Sequence, residues 1–249
     1  MNSFIHGSRT RAADAAPGRI SLRADDGDMS SWVGPLDTAA RAARENGVSR
    51  RVHGLVASRK NACPMRWSTT EQRDMMVLLE LDPAVLSYET APEMVRFTVG
   101  GRSREHVPAF RAATRRGPVM LDTFPARGRS DERRLLLVAA LTEIYAARGV
   151  PYRACDGGQI RLEPRFGNAR WIRSRSWHRP TQAEIFLVTG ALTAEDHRTI
   201  ASLQSELPRV ADVGAVVGAM AVAGQLVLDL SAAKPADIVV SMDPRGARR

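Results

Sequence analysis

The stretch from residue 58 to residue 124 constrains the fold of this chain more than any other part of it. Ser68-Thr69-Thr70-Glu71 has the pattern of a capping box with Ser68 as the N-cap, and apolar residues follow at helical spacing as far as Leu81. Asp82-Pro83 should end that helix, because proline cannot continue it. Alternating and apolar segments follow, with Gly100-Gly101 in the position of a two-residue hairpin turn. We therefore expect a capped helix, a strand, a hairpin and a further strand, in that order.

Short motifs lie in order along the same stretch: Ser58-Arg59-Lys60, Glu71, Leu81-Asp82-Pro83-Ala84-Val85, Ala91-Pro92, Pro108-Ala109-Phe110 and Asp122-Thr123-Phe124. This order resembles the N-terminal domain of TnsA-type endonucleases, which cut one strand at transposon ends within heteromeric transposases. The resemblance extends over roughly residues 50 to 243. It implies an α/β (α+β) fold in which a restriction-endonuclease-like mixed sheet is flanked by helices and followed by a winged-helix domain.

Two positions depart from the family pattern at residues that the chemistry needs. A nuclease of this class holds Mg²⁺ through carboxylates and places a lysine near the attacking water. Ala109 stands in the position of a metal-binding aspartate, and Phe124 stands in the position of the lysine. Glu71 and Asp122 remain as candidate catalytic carboxylates, on a helix and a strand that should face each other. The resemblance therefore implies a degenerate nuclease centre with no metal or other cofactor; an Mg²⁺-dependent endonuclease with a rearranged site is the alternative.

Both carboxylates also have structural interpretations, and other side chains are candidates to complete the centre. Glu71 could serve only as the acceptor of its capping box, and Asp122 only as a polar strand end or as the partner of an arginine. His106 lies an odd number of residues before Ala109, so a regular strand would turn it away from the centre. Arg127 follows the last strand and could supply the missing cation.

The charge of the chain is the main indication of a partner. The formal net charge is +9 with a pI near 10.7, and Lys60 and Lys234 are the only lysines, so arginine carries nearly all of the positive charge. Guanidinium groups suit phosphate oxygens, and a basic balance favours binding to nucleic acid such as duplex DNA. An arginine bias of a GC-rich genome would explain arginine in place of lysine, but not the excess over acidic residues. The candidate DNA-binding residues are Arg51, Arg59, Lys60, Arg165, Arg170, Arg173, Arg175 and Arg179.

The arginines from residue 165 onwards alternate with aromatic residues, among them Trp171 and Trp177. Such a run can clamp a nucleic-acid backbone and stack on its bases. It can equally be a joint between domains, in which the tryptophans pack. The residue types do not decide between these two interpretations.

The C-terminal part of the chain has the pattern of a winged helix, with three helices followed by two strands. The first helix is predicted over residues 181–189, the second from Thr193, and the third over residues 210–221. The third would normally read the major groove, yet it has almost no basic or amide side chains for bases or phosphates. We therefore expect this domain to dock protein, and the resemblance implies transposase or ATPase subunits as its partners.

Cysteine usage and hydropathy exclude several other classes of protein. Cys63 and Cys155 have no CxxC partner, so neither a zinc site nor a disulfide framework is expected. The sequence has no run of about 18 apolar residues and no hydrophobic signal core, which predicts no membrane span and a cytoplasmic location. The predicted organisation is a basic arm (1–57), a nuclease-fold domain (58–178), a winged helix (179–243) and a basic tail (244–249).

Three functional hypotheses follow from these observations. The first is a DNA-binding, TnsA-like protein with a degenerate nuclease centre that acts as a scaffold or regulatory subunit. The second is an active endonuclease with a rearranged site. The third is a transcription regulator that combines both folds.

Overall fold

The structure is a computed structural model that describes residues 53–99, 102–126, 132–195 and 197–243. The strands are β1 (Gly54–Ala57), β2 (Pro64–Trp67), β3 (Val85–Thr90), β4 (Val95–Val99), β5 (Arg102–His106), β6 (Phe110–Thr114), β7 (Gly117–Phe124), β8 (Tyr152–Asp156), β9 (Arg198–Thr199), β10 (Leu226–Asp229) and β11 (Val239–Met242). The helices are α1 (Thr70–Leu81), α2 (Glu132–Ala147), α3 (Gly157–Ile160), α4 (Arg165–Arg175), α5 (Gln182–Ala194), α6 (Ile200–Glu206) and α7 (Val213–Val222), with a 3₁₀ turn at Pro235–Asp237. None of the helices in these ranges has the length and apolar character that crossing a membrane requires.

The largest sheet has four strands in the order β3-β6-β7-β8. Strands β3, β6 and β7 pair antiparallel, and β8 joins β7 in parallel with Ala154 beside Asp122. Strands β4 and β5 form a separate hairpin, and so do β1 and β2. The turn predicted at Gly100-Gly101 between β4 and β5 lies outside the described residues. The predicted class, an α/β fold with a mixed sheet flanked by helices, is confirmed.

Helices cover both faces of this sheet, because successive residues of a strand point to opposite sides. Leu121 of β7 points towards α1 and is buried in one apolar core with Met75 and Leu79. Its neighbour Met120 points to the other side and is buried in a second core with Leu141 of α2. The two faces of β7 therefore belong to different helices, which decides where its side chains can act.

Helix α1 begins one residue later than the predicted capping box. Thr69 is the N-cap, and its side chain accepts a hydrogen bond from the Gln72 amide at 3.2 Å. The Gln72 side chain accepts from the amide of Ser68, the residue before the N-cap, at 2.7 Å. Glu71 therefore takes no part in the cap, and its carboxylate is left for other contacts. The helix ends at Leu81, as predicted.

The C-terminal segment differs from its prediction at the first helix boundary. Helix α5 continues to Ala194, and Thr193, the predicted start of a second helix, donates to the Thr189 carbonyl at 2.8 Å inside it. The next helix, α6, follows Thr199, whose side chain accepts from the Ser202 amide at 3.1 Å and caps it. A threonine inside a helix can donate to the carbonyl four residues earlier, and a threonine before a helix can cap it. The sequence alone does not distinguish these two uses.

Helix α7 lies at the centre of this segment, where every residue from Val213 to Val222 is buried. Beside it, β10, β11 and β9 form an antiparallel sheet. The main apolar core is continuous from α1 to this segment. Asn168 of α4 joins the two, donating from its side chain to the Leu230 and Ala232 carbonyls at 3.0 and 2.7 Å. The division into domains at residue 178 stays a prediction.

Gly214 and Gly190 provide a matched pair of substitutions for the packing of α4 against α7. A Cβ at Gly214 would lie 2.5 Å from the ring of Trp171, whereas a Cβ at Gly190 on α5 would meet nothing within 4 Å. Trp171 also stacks against Arg175, with 3.9 Å from the guanidinium carbon to the ring centroid, which limits how far the indole can move. We expect Gly214→Ala to lower the free energy of unfolding by about 1–3 kcal/mol. Gly190→Ala should raise it by roughly 0.5–1 kcal/mol, because alanine favours a helix interior.

Urea denaturation of the two variants and the unsubstituted protein measures this difference. A stabilising effect of Gly214→Ala would contradict the close packing of Trp171 against α7.

Candidate functional site

Asp122 is buried on β7, where only 3% of its surface is exposed, and it accepts hydrogen bonds on both carboxylate oxygens. The Tyr152 hydroxyl donates to Oδ2 at 2.8 Å, and the Ala109 amide donates to Oδ1 at 2.9 Å. The Nε2 atom of His106 lies 2.7 Å from Oδ2. These contacts tie the connection between β5 and β6 to the middle of the sheet. Asp122 therefore organises its surroundings as a structural acceptor.

The prediction that His106 faces away from the centre is wrong. Strand β5 ends at His106, and the chain turns before β6 begins at Phe110. The alternation of a regular strand therefore does not extend across residues 107–109. Neither the length of that turn nor its geometry is encoded in the alternation of the strands that flank it.

A chain of aromatic and charged contacts supports Tyr152 on the side away from Asp122. Its ring stacks on Tyr145, with 5.7 Å between centroids and 11° between planes. The Tyr145 hydroxyl donates to Glu93 at 2.9 Å, and Arg148 pairs with the same carboxylate at 3.1 Å. Burial, together with the nearby charge of Asp122, raises the pKa of Tyr152 well above its usual range. The hydroxyl of Tyr152 therefore stays protonated and remains a donor to Asp122.

Glu71 lies in the first turn of α1 and faces a guanidinium group. Nη2 of Arg161 lies 3.3 Å from Glu71 Oε1, and Nε of Arg161 lies 2.6 Å from Oδ2 of Asp74, which is one turn further along α1. Arg73 also pairs with Asp74 at 2.9 Å. Burial opposes the charge of Arg161, but its hydrogen bonds to Asp74 and Glu71 and their negative charge outweigh that effect and raise its pKa. Arg161 is the internal counter-ion of this acidic pair.

A backbone constraint accompanies the position of Arg161. A Cβ at Gly157, the first residue of α3, would lie 2.9 Å from the Arg161 guanidinium and 3.3 Å from the Ala126 amide nitrogen. Glycine therefore leaves the space through which the arginine reaches Glu71. Sequence reasoning missed this contact, and its only signal was the pair Gly157-Gly158 shortly before an arginine.

Glu71 and Asp122 lie on opposite sides of the sheet. Helix α1 packs on the face of β7 to which Leu121 points, whereas Asp122 bonds Tyr152 on the face shared with Met120 and α2. The convergence of the two predicted carboxylates is therefore not formed. An alternating strand indicates which residues share a face, but not which of the two faces a given helix covers.

The residues at this centre do not fit a bound Mg²⁺ ion. Magnesium requires carboxylate oxygens that can be directed at the metal. Asp122 uses both oxygens for protein donors, and Glu71 faces Arg161. Ala109 has no ligating atom, and the ring of Phe124 is covered by Arg134, with its guanidinium carbon 4.5 Å from the centroid. The chemistry of these side chains thus favours a structural use over metal-dependent cleavage.

The motif Ser58-Arg59-Lys60 closes the C-terminal end of α1. Nζ of Lys60 donates to the carbonyls of Leu79, Asp82 and Val85 at 2.8, 2.6 and 2.7 Å. Desolvation lowers the pKa of Lys60 to about 8, against the opposing charges of Asp82 and Glu80. All three donors of the ammonium group face main-chain oxygens, which gives Lys60 a structural role in the fold, and its contact with DNA stays a prediction.

Glu80, which sequence reasoning did not single out, anchors the same motif from inside. Its side chain is fully buried and accepts from the Ser58 hydroxyl, from the Arg59 amide at 3.1 Å and from the Tyr88 hydroxyl at 2.8 Å. A buried carboxylate is stable only when hydrogen bonds replace its hydration. Ser58 and Arg59, which belong to the motif that resembles a nuclease signature, therefore supply hydrogen-bond donors that Glu80 needs.

Four further arginines of the predicted DNA-binding set make contacts within the protein. Arg59 donates to the carbonyls of Ser176 and His178 at the end of α4. Arg173 donates to the Ala57 carbonyl and is only 9% exposed. The other two behave alike: Arg165 donates to the carbonyls of Gln159 and Ile160, and Arg175 covers Trp171 and pairs with Asp212. Carbonyls and aromatic rings of the protein take up the donors and faces of these four side chains, and their role as phosphate contacts stays a prediction.

Arg170 and Arg179 are the predicted DNA-binding residues that the structure leaves exposed. Neither has an ion pair or side-chain hydrogen bond with another described residue. Arg51 lies outside the described residues. Arginines that sequence reasoning did not select are exposed as well, among them Arg66, Arg102, Arg104, Arg116 and Arg209.

Replacing Asp122 tests whether it is a structural acceptor. Asp122→Ala leaves the Ala109 amide and the Tyr152 hydroxyl without their acceptor in a buried place, so the free energy of unfolding should fall by about 2–4 kcal/mol. Glu71→Ala removes a partly exposed ion pair and should cost less than about 1 kcal/mol. Chemical denaturation of both variants measures the contrast. Equal stability of Asp122→Ala and the unsubstituted protein would show that these hydrogen bonds do not hold the sheet together.

Comparison with known proteins does not identify a family for this chain. A scan against protein-family models gave no match, and a search of the curated proteins gave none either. The relation to TnsA-type endonucleases thus rests on the motifs quoted above, and it enters the functional argument as a proposal.

Proposed function

We propose that this chain is a TnsA-like, DNA-binding protein with a degenerate and inactive nuclease centre. It acts as a scaffold or regulatory subunit of a DNA transaction such as transposition, in the cytoplasm and without a bound cofactor. The observation that carries the proposal is the internal use of both candidate carboxylates: Asp122 accepts from main-chain and tyrosine donors, and Glu71 faces Arg161.

The order of elements supports the nuclease-like part of this proposal. Helix α1 is followed by the antiparallel strands β3, β6 and β7, then by α2 and the parallel strand β8. The expected order of a helix, a strand, a hairpin and a further strand corresponds to α1, β3, β4–β5 and β7, and β6 is an additional strand that the sequence did not predict. The substitutions at Ala109 and Phe124 explain how such a scaffold could persist without cleavage, because neither side chain can ligate a metal or carry a charge.

The C-terminal segment supports a role in protein contacts. Helices α5, α6 and α7 and the sheet β9-β11-β10 follow in the order expected of a winged helix. Every residue of α7 is buried, so this helix cannot enter the major groove. Transposase or ATPase subunits are the partners that we propose for this segment. They would meet its other helices, such as α5, where Phe186 is 76% exposed.

Exposed arginines support DNA as a partner. The net charge is +9, which ion pairs leave unchanged because each pair cancels one positive and one negative charge, and Arg170 and Arg179 are exposed. A protein that binds duplex DNA through such phosphate contacts has a modest sequence preference. Its affinity falls steeply as the salt concentration rises, because binding releases counterions from the DNA.

The salt dependence of duplex binding tests this part of the proposal. Each neutralised phosphate contributes about −0.9 to the slope of log K against log salt. Replacing both Arg170 and Arg179 by alanine should therefore weaken binding and make the slope less steep by up to about 2. The matched variant with lysine at both positions keeps the charges and should keep the slope. Fluorescence anisotropy with a labelled blunt duplex, at several salt concentrations, gives all three slopes.

Absence of duplex binding at low salt would refute the proposed function. An unchanged slope in the alanine variant would show that the contacts with phosphate are made elsewhere on the protein.

A further inference from the structure

A groove of about 630 Å³ opens between the β1–β2 hairpin, α1 and α4. Its lining includes two tryptophans and two arginines, Trp171, Trp177, Arg170 and Arg173, but no carboxylate. The groove lies away from Asp122 and is not part of the centre described above. Its volume is within the range of natural ligand sites, and its lining favours an anionic and aromatic ligand.

Trp177 is the exposed platform of this groove. Its side chain is 49% exposed. The guanidinium carbon of Arg173 lies 4.8 Å from its ring centroid, and Arg173 is itself held by the Ala57 carbonyl. The indole therefore rests on a fixed cation while about half of its surface stays open. A ring held in this way loses little freedom when a second ring stacks on it.

Trp171 and Trp177 have different surroundings. The aromatic run was interpreted either as a joint in which tryptophans pack or as a surface on which bases stack, and each interpretation fits one of the two residues. Trp171 packs against Gly214 of α7 and lies under Arg175, so it belongs to the joint. Trp177 has an open surface and belongs to the groove. The joint and the stacking site are therefore neighbours, with Trp171 on α4 and Trp177 just beyond its C-terminal end.

Helix α4 presents one face to the groove. Gly167, Arg170 and Ser174 lie on that face at intervals of three or four residues, and Trp177, two residues beyond the end of the helix, also lines the groove. Arg170 is exposed and has no ion pair with another described residue. Arg170 and Trp177 line the same groove. A cation and a stacking surface in one groove suit a phosphate and a base of one strand.

We propose that this groove binds an unpaired stretch of nucleic acid, with a base stacked on Trp177 and a neighbouring phosphate held by Arg170. The inference rests on the proposed binding of nucleic acid and specifies a structural class of ligand within it. A blunt duplex keeps its bases stacked on one another, so it can offer phosphates to Arg170 but no base face to Trp177. A duplex with a single-stranded tail offers both, and base–aromatic stacking adds to the phosphate contacts.

Binding of three probes tests the inference: a blunt duplex, the same duplex with a tail of unpaired thymidines, and oligo(dT) alone. The unsubstituted protein should bind the tailed duplex more tightly than the blunt one. Oligo(dT) should quench its tryptophan fluorescence. Trp177→Ala should weaken binding of the tailed duplex by about 5- to 100-fold and leave the blunt duplex unchanged. Trp177→Phe should retain most of the preference, because a phenyl ring still stacks.

Leu162→Ala serves as the matched control. Leu162 is another exposed large apolar residue, 61% exposed, and it does not line the groove. It should change binding of neither duplex. Urea denaturation of each variant shows that the folded protein is being compared.

The outcomes separate this inference from the proposed function. Equal binding of blunt and tailed duplexes, or an equal effect of Trp177→Ala on both, would overturn the groove as a site for unpaired bases while duplex binding stands. No binding of any probe would refute both. Trp177-dependent binding of a proline-rich or acidic peptide, without binding of oligo(dT), would identify a peptide site and overturn the inference.

Discussion

The hydrogen bonds to the buried carboxylate of Asp122 hold together the part of the sheet where a nuclease of this kind would place its metal. They join the turn before β6, through the Ala109 amide, to the parallel strand β8, through the Tyr152 hydroxyl. A carboxylate in a buried place needs such donors, because its hydration has been lost. Once they are supplied, the same oxygens no longer point at a metal, so stability of the sheet and metal binding compete for one group.

Other charged side chains also form their hydrogen bonds and ion pairs within the protein. Arg161 neutralises Glu71 and Asp74, and Lys60 donates to main-chain carbonyls at the end of α1. Arg59 and Arg173 bind carbonyls that would otherwise lack partners, each joining a segment before α1 to α4 or its neighbourhood. These cations keep their charge, but their hydrogen-bond donors are already used within the protein. The proposed binding of nucleic acid would therefore use the arginines that remain exposed.

Local sequence patterns predicted the parts of the fold that local physics determines. The C-terminal end of α1 and the strands on either side of β6 were predicted because proline, helical spacing and strand alternation act over a few residues. The N-cap is Thr69 and not the predicted Ser68, because serine and threonine can both take this role. The faces of β7 could not be predicted, since they depend on which helix packs against which side. For the same reason the partners of His106, Lys60 and Glu80 became visible only in the fold.

A motif predicts a functional site least reliably where its residues form hydrogen bonds that stabilise the fold. Ser58-Arg59-Lys60 and Asp122 occupy positions that resemble a nuclease signature, yet their donors and acceptors serve Glu80, helix carbonyls and a neighbouring strand. A sequence shows the residue types but not how many of their hydrogen bonds are already made. The number of hydrogen bonds that a side chain already makes within the protein is what would distinguish a scaffold from an enzyme with the same fold.

Nicking of supercoiled plasmid DNA in Mg²⁺ or Mn²⁺ tests most directly whether the nuclease centre is inactive. The purified protein should leave the plasmid supercoiled at protein concentrations that bind it, and Glu71→Gln, which keeps the size of the side chain, should behave identically. Metal-dependent nicking by the unsubstituted protein that is lost in Glu71→Gln would contradict the account, because it would place Glu71 in a working metal centre.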